Sequence, residues 1–251
     1  MNRINLRELN FFKKNGYLKL TNIFSNQEII KLKRYVNEIE KFKEKKKKYM
    51  IYYDNLNGVK FLTRTENFLP YHKKIRQFLK NKKISNLVDN LINFKSVIFK
   101  DKINWKYPKA KGFEPHQDAQ VWEYLYPKIK TFLSLSISVD KTNKKNGSLE
   151  VVGKMHRKGL LGNNKSAINI ELVKKMKWKR INTNPGDIIF FDSYTPHRSG
   201  MNLSNSPRRI IYLTYNAKKD GNLRKEYFFN KRKNFPPNID RIKGKKYKYK
   251  I

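Results

Sequence analysis

Asn184-Pro185-Gly186-Asp187 leads into Ile188-Ile189-Phe190-Phe191, and Thr195-Pro196-His197 follows closely. The Pro-Gly pair marks a turn, and the apolar run after it reads as a strand. Runs of the same character lie on both sides: Ser96–Ile103, Thr131–Val139, Ser148–Val152, Trp178–Asn182, Asp187–Phe191 and Arg208–Tyr215. Lys145-Asn146-Gly147 and Asn205-Ser206-Pro207 supply further turns. Several short strands punctuated in this way predict a β-sandwich or barrel.

Upstream of residue 96 the pattern changes. Ser25-Asn26-Gln27-Glu28 is a capping box, in which the Ser hydroxyl and the Glu carboxylate each satisfy a free backbone amide. Ile29, Ile30, Leu32, Tyr35, Val36 and Ile39 then recur at helical spacing. The charged run through Lys43–Lys48 reads as the solvated end of that helix, and Leu69–Leu79 and Ile84–Ile92 read as two shorter helices. The expectation is one domain over residues 1–251. Residues 1–95 form mostly helical support, 96–216 a β-core, and 217–251 a basic C-terminal extension.

The 251 residues can bury a sizeable core without staples. Aromatics at 14% argue against disorder. The absence of cysteine excludes disulfides, zinc ribbons, iron–sulfur clusters and thiol nucleophiles. No apolar run approaches the length of a membrane helix, and the first residues lack the apolar stretch of a signal peptide. A soluble cytoplasmic protein is the expectation. The formal charge of +38 attracts polyanions. It is spread widely, with denser blocks at Lys43–Lys48 and Lys243–Lys250. The abundance of Lys, Asn and Ile favours a compositional origin for much of it. No zinc-finger, RRM or KH signature points to specific nucleic-acid binding.

Four histidines are present. His116-Gln117-Asp118 is an H-x-D triplet, and residues i and i+2 of a strand share a face. His197 follows a strand and can complete a set of two imidazoles and one carboxylate. That is the facial triad of non-haem Fe(II) oxygenases, which leaves coordination positions open. An isolated H-x-D reads more readily as a loop histidine beside a turn aspartate. Arg208 and Ser199 favour the metal reading. An Arg opening the strand Ile210–Tyr215 suits a fork-to-carboxylate pair with a keto acid, and Ser199 can bond the same carboxylate. Arg209 should point to the other face.

Lys100–Pro108 leading to Gly112–Asp118, then Asn146–Val152 with His156, then Pro185–Asp192 with Pro196–Ser199, Asn202 and Arg208, together resemble the phytanoyl-CoA dioxygenase family over roughly residues 6–216. The resemblance implies a mainly β fold with N-terminal helices, built on a double-stranded β-helix or cupin-like jelly-roll core. It implies Fe(II) held by His116, Asp118 and His197. It implies 2-oxoglutarate met by Arg208, Ser199 and Asn104, with Arg64 as a looser counterpart of a further basic residue, and O2 as second co-substrate. One departure is Val152-Gly153-Lys154-Met155-His156, which loses a proline of the family pattern, so His156 reads as a packing residue. The implied reaction hydroxylates an unactivated C–H bond of a small molecule and releases succinate and CO2. Asp118 argues against halogenation, since related halogenases lack that carboxylate. Gln120, Trp122 and Tyr124 are candidates for the substrate side, and Arg198 for an anionic substrate. The competing readings are a cupin-like isomerase, which needs no dicarboxylate clamp, and a basic nucleic-acid- or surface-binding protein with a degenerate metal site.

Overall fold

The computed structural model describes residues 3–56, 58–129, 131–162 and 168–247. Its elements are α1 (Leu6–Asn15), β1 (Tyr17–Leu20), α2 (Asn26–Glu40), β2 (Met50–Leu56), β3 (Val59–Glu66), α3 (Lys73–Leu79), α4 (Lys82–Ile92), β4 (Ser96–Lys106), β5 (Phe113–His116), α5 (Ala119–Leu125), β6 (Phe132–Ser138), β7 (Leu149–Val151), α6 (Ile170–Lys175), β8 (Lys179–Ile181), β9 (Ile188–Asp192), β10 (His197–Ser199), β11 (Arg208–Ala217) and α7 (Arg224–Asn234). Seven strands make one antiparallel sheet in the order β1-β9-β6-β11-β4-β3-β2, and β5-β10-β7-β8 make a second. This is the jelly-roll arrangement.

Alternation along the central strands sorts the two faces of the larger sheet. In β6, Leu133, Leu135 and Ile137 join Ile103, Trp105, Ile211 and Leu213 in a core shared with Leu32, Val36 and Ile39 of α2 and Ile84 and Val88 of α4. The intervening Ser134, Ser136 and Ser138 are also buried, but on the face toward the smaller sheet. The even positions of β4 follow suit, so Lys100, Lys102, Asn104 and Lys106 share the inner face. Tyr17, Ile189 and Phe191 pack on Leu149, Val151 and Ile181 of the smaller sheet, sealing one part of the interior with apolar contact. The inner face near β4 and β11 stays polar.

The predicted N-terminal helices exist, and the Ser25–Glu28 capping box is formed in both directions. Three strands among residues 1–95 were not expected. The helix after Ser25 stops at Glu40 rather than running into Lys43–Lys48, and β2 follows from Met50. The β2–β3 hairpin extends the larger sheet beyond β4, and β1 adds a strand beside β9. Pairing with a preformed edge outweighs the weak local preference of these short segments. The predicted helix Leu69–Leu79 is a short 3-10 turn at Leu69–Tyr71 followed by α3. His72 caps α3 by accepting from the Ile75 amide at 3.1 Å, and its other nitrogen lies 2.8 Å from Glu38. The C-terminal extension folds back. Helix α7 buries Tyr227, Phe228 and Lys231 against the rest of the molecule.

Two glycines let β5, β7 and β10 approach closely. Gly147, in the predicted Lys145–Gly147 turn, has φ +73°, and a Cβ there would lie 2.1 Å from the Gly200 carbonyl oxygen. A Cβ on Gly112 would lie 2.0 Å from the Ser199 carbonyl oxygen. Backbone cannot yield to such a contact without displacing the strand. Gly112→Ala is expected to cost about 2 kcal/mol and lower Tm by roughly 4–8 °C. A melt that matches the parent would show that β10 can shift freely.

Candidate metal and co-substrate site

His116 closes β5 and His197 opens β10, and the two are direct partners in the strand register. Their ring centroids are 4.2 Å apart. Asp118 reaches the same point by a different route from the one expected. β5 ends at His116, and Asp118 is the residue that precedes α5, so a turn aims it rather than strand parity. Gln117 holds that turn. Its side chain is buried, donates to the carbonyls of Gly159 (3.0 Å) and Tyr194 (2.6 Å), and accepts from the Leu161 amide (2.7 Å). The candidate ligand atoms of His116, Asp118 and His197 all lie within 4.8 Å of one another.

The protonation states suit a metal. Burial holds His116 far below the ordinary histidine value, at about 3, and pushes His197 down as well. Both rings are neutral at pH 7. The Nδ1 of His116 faces the Glu114 carbonyl at 2.6 Å and that of His197 faces the Thr195 carbonyl at 2.9 Å. A carbonyl only accepts, so each Nδ1 carries the proton and each Nε2 lone pair is free for a cation. Burial works against the Asp118 carboxylate, but His197, Lys102, His116 and Lys100 together hold its pKa at about 2. Ser134 Oγ donates to Asp118 Oδ2 at 2.7 Å and fixes the second oxygen. Two imidazoles and a carboxylate without a thiolate fit Fe(II).

Beyond the triad, β11 and β4 present a second constellation. Arg208 is 1% exposed, and its Nε has no hydrogen-bond partner among the described residues. Its guanidinium bonds the Tyr212 hydroxyl. Arg209 points to the other face, as the parity of the strand predicts, and clasps Asp140 through Nε (2.8 Å) and Nη2 (2.9 Å). Lys106, absent from the sequence reading, is directly opposite Arg208 in the register. Its Nζ donates to Ser199 Oγ at 2.9 Å and to the Gly200 carbonyl at 2.6 Å. Asn104 is buried with Oδ1 unpaired. Among the described residues no carboxylate forms an ion pair with Arg208 or Lys106. Burial and the Arg208 charge push Lys106 down to about 6. A buried Arg208 without a counter-charge is costly, and so is charging Lys106 beside it. A carboxylate delivered by a ligand removes that cost, and the terminal carboxylate of 2-oxoglutarate fits.

The remaining candidates separate. Trp122 is buried and lines the cavity that holds the triad. Gln120 is fully buried and accepts from the Gln117 amide at 3.2 Å, so it braces the turn. Arg198 is neutralised on the spot: its Nε lies 2.7 Å from Glu150, and its guanidinium stacks 4.3 Å over Trp178. Arg64 neighbours Asn104 in the register but ion-pairs with Glu66 at 3.1 Å. The Tyr124 side chain lies outside the described residues. His156 packs against Gly16, away from the triad. Lys106 was within reach of the sequence: it lies two residues past Asn104 on one strand and so shares its face.

Arg208→Ala is expected to raise the Kd for 2-oxoglutarate roughly 10- to 100-fold, the loss of a charged pair. Arg209→Ala should leave that Kd within about twofold. The visible absorption of the anaerobic Fe(II)–2-oxoglutarate complex reads both. Lys106 gives a pH signature. It is mostly neutral above about 6 in the free protein, and an incoming carboxylate raises its pKa. Binding therefore takes up a proton, and 2-oxoglutarate affinity falls as pH rises above about 6. Calorimetry in buffers of different ionisation heat measures that uptake, and Lys106→Met should abolish it.

The family model for phytanoyl-CoA dioxygenase matches residues 12–210. A 2-aminoethylphosphonate dioxygenase from uncultured bacterium HF130_AEPn_1 is 36% identical over 239 residues, covering 94% of this chain and 90% of the relative. A methylphosphonate hydroxylase from Gimesia maris is 36% identical over 242 residues, covering 96% and 91%. Among solved structures, EctD from S. alaskensis with 2-oxoglutarate and 5-hydroxyectoine superposes with TM-score 0.76 at 20% identity, over 86% of this chain and 77% of that one. Order of motifs, sandwich topology and triad agree with these likenesses: the chain belongs to the phytanoyl-CoA dioxygenase family and is an Fe(II)- and 2-oxoglutarate-dependent dioxygenase.

Proposed function

We propose that the enzyme hydroxylates the carbon bonded to phosphorus in a small organophosphonate. The observation that carries this reading is the sign of the charge at the triad. Lys100 and Lys102 line the same cavity as His116, Asp118 and His197, while the cations suited to 2-oxoglutarate, Arg208 and Lys106, lie further along the same strands. The cavity therefore has cationic groups beyond those that the co-substrate needs. Two relatives at 36% identity are named for phosphonates, and methylphosphonate has only the carbon attached to phosphorus to oxidise.

In this reading His116, Asp118 and His197 hold Fe(II), which with 2-oxoglutarate and O2 supplies the oxidising power for C–H cleavage. Ser134 and the two backbone carbonyls orient the ligands. Arg208, Lys106 and Ser199 fix the far carboxylate of 2-oxoglutarate, and the side-chain NH2 of Asn104 can donate to the co-substrate. Arg64 serves only indirectly, through Glu66. Trp122 forms an apolar wall that excludes water from the reacting carbon. The balance is one phosphonate, one 2-oxoglutarate and one O2 to one hydroxyphosphonate, one succinate and one CO2. All 251 residues act as one oxygenase domain, and the enzyme works in the cytoplasm, where Fe(II) and 2-oxoglutarate are at hand. Among the described residues no helix is long and apolar enough to cross a membrane.

Phosphorus NMR of a reaction with methylphosphonate and 2-aminoethylphosphonate tests the reading. A new hydroxyphosphonate resonance matched one to one by succinate is expected, and His197→Ala should remove both. Succinate that stays at the substrate-free level with either phosphonate, from protein that binds Fe(II) and 2-oxoglutarate, would sink it.

A further inference from the structure

Lys100 is 5% exposed, yet it lines the cavity of the triad. Its ammonium sits over two aromatic faces, 5.2 Å from the centroid of Trp122 and 5.6 Å from that of Tyr227. Among the described residues its Nζ makes no hydrogen bond or ion pair, although its charge acts on Glu66 and Asp118 from a distance. The carboxylates nearby are already taken. Glu66 is fully buried and receives Lys231 Nζ at 2.9 Å on Oε1 and 2.8 Å on Oε2, with Arg64 Nε at 3.1 Å. Asp118 belongs to the triad and to Ser134. Ring faces steady a cation, but they do not replace the hydrogen bonds that an ammonium loses on leaving water.

The register places this ammonium. Lys100 is opposite Thr214, Thr214 is opposite Ser134, and Ser134 Oγ donates to Asp118. A single intervening strand, β11, therefore separates Lys100 from the serine that anchors a candidate ligand. Lys106 and Arg208 lie six residues further along, about 20 Å of strand. The far carboxylate of 2-oxoglutarate, engaged there, cannot also be the partner of Lys100.

We propose that Lys100 is the residue that takes the anionic head of the substrate, with Trp122 and Tyr227 as the walls that aim it. Helix α7, which carries Tyr227, is then part of the substrate site although it lies outside the family-matched segment 12–210. The choice of a phosphonate as that anion rests on the reading above; the assignment of Lys100 as the anion receptor does not.

The experiment is anaerobic calorimetry of the protein loaded with Fe(II) and 2-oxoglutarate, titrated with methylphosphonate and separately with inorganic phosphate. Lys100→Met should weaken methylphosphonate binding at least about tenfold, with 2-oxoglutarate affinity by the visible band unchanged within about twofold. Lys100→Arg should recover part of the loss, which a purely structural role for the side chain does not predict. On the parent protein, the uncharged dimethyl ester of methylphosphonate should bind far more weakly than the anion. Equal binding by Lys100→Met, equal binding of the ester, or no binding of either anion by the parent overturns the assignment. Tight, Lys100-dependent binding of methylphosphonate without hydroxylation upholds Lys100 and overturns the proposed reaction. Hydroxylation that is indifferent to Lys100→Met does the reverse.

Discussion

The interior of this sandwich holds more positive charge than its own carboxylates neutralise. Arg208, Lys106 and Lys100 are all buried, while Glu66 and Asp118 are already engaged. A low-dielectric interior penalises unpaired charge heavily, so Arg208, Lys100 and a Lys106 that burial pushes toward neutrality all favour anions supplied by ligands. The rest of the architecture serves that condition. The helices cover the apolar face of the larger sheet, and the serine-lined face of β6 gives the interior enough polarity to accept charge. Ligands that answer those cations stabilise the folded state by mass action.

The same condition separates the cations that matter from the many that do not. Among the described residues the buried Lys and Arg are Lys100, Lys106, Arg208 and Lys231, a small share of a chain with 58. Arg209 and Arg198 show how a site-adjacent arginine is disarmed, each clasped by an acidic neighbour. Burial without an ion pair among the described residues, rather than proximity in sequence, distinguishes Arg208, Lys106 and Lys100. A polyanion-binding protein with a degenerate metal site would not need a complete His-Asp-His cluster, and that alternative finds no support. Nor does an isomerase, which has no use for two inward cations suited to a dicarboxylate.

Much of the site was legible because its residue types are scarce. Four histidines in the chain left few ways to build a triad, and Arg208 was separable from Arg209 by strand parity alone. Lys100 and Lys106 were hidden for the opposite reason, since one lysine more looks like background in a chain so rich in them. Asp118 reaches the histidines by a route other than strand parity: the turn held by Gln117, not an extended strand, brings it there. The six strands read downstream of residue 96 carry their own apolar runs and turns. β1, β2 and β3 do not, because short polar-edged segments become strands only when a sheet edge is present to pair with them.

Helix α7 changes where the protein ends as a folding unit. Lys231 is the ammonium that answers both oxygens of Glu66, and Tyr227 and Phe228 close a cluster with Phe99, Trp122 and Phe132. A chain trimmed to the family-matched boundary at residue 210 would cut β11 short and take from a buried carboxylate the ammonium that meets both its oxygens. Boundaries drawn from shared sequence mark what relatives have in common. The terminus that makes this interior habitable lies beyond the family model's boundary, in a segment that the relatives at 36% identity also span.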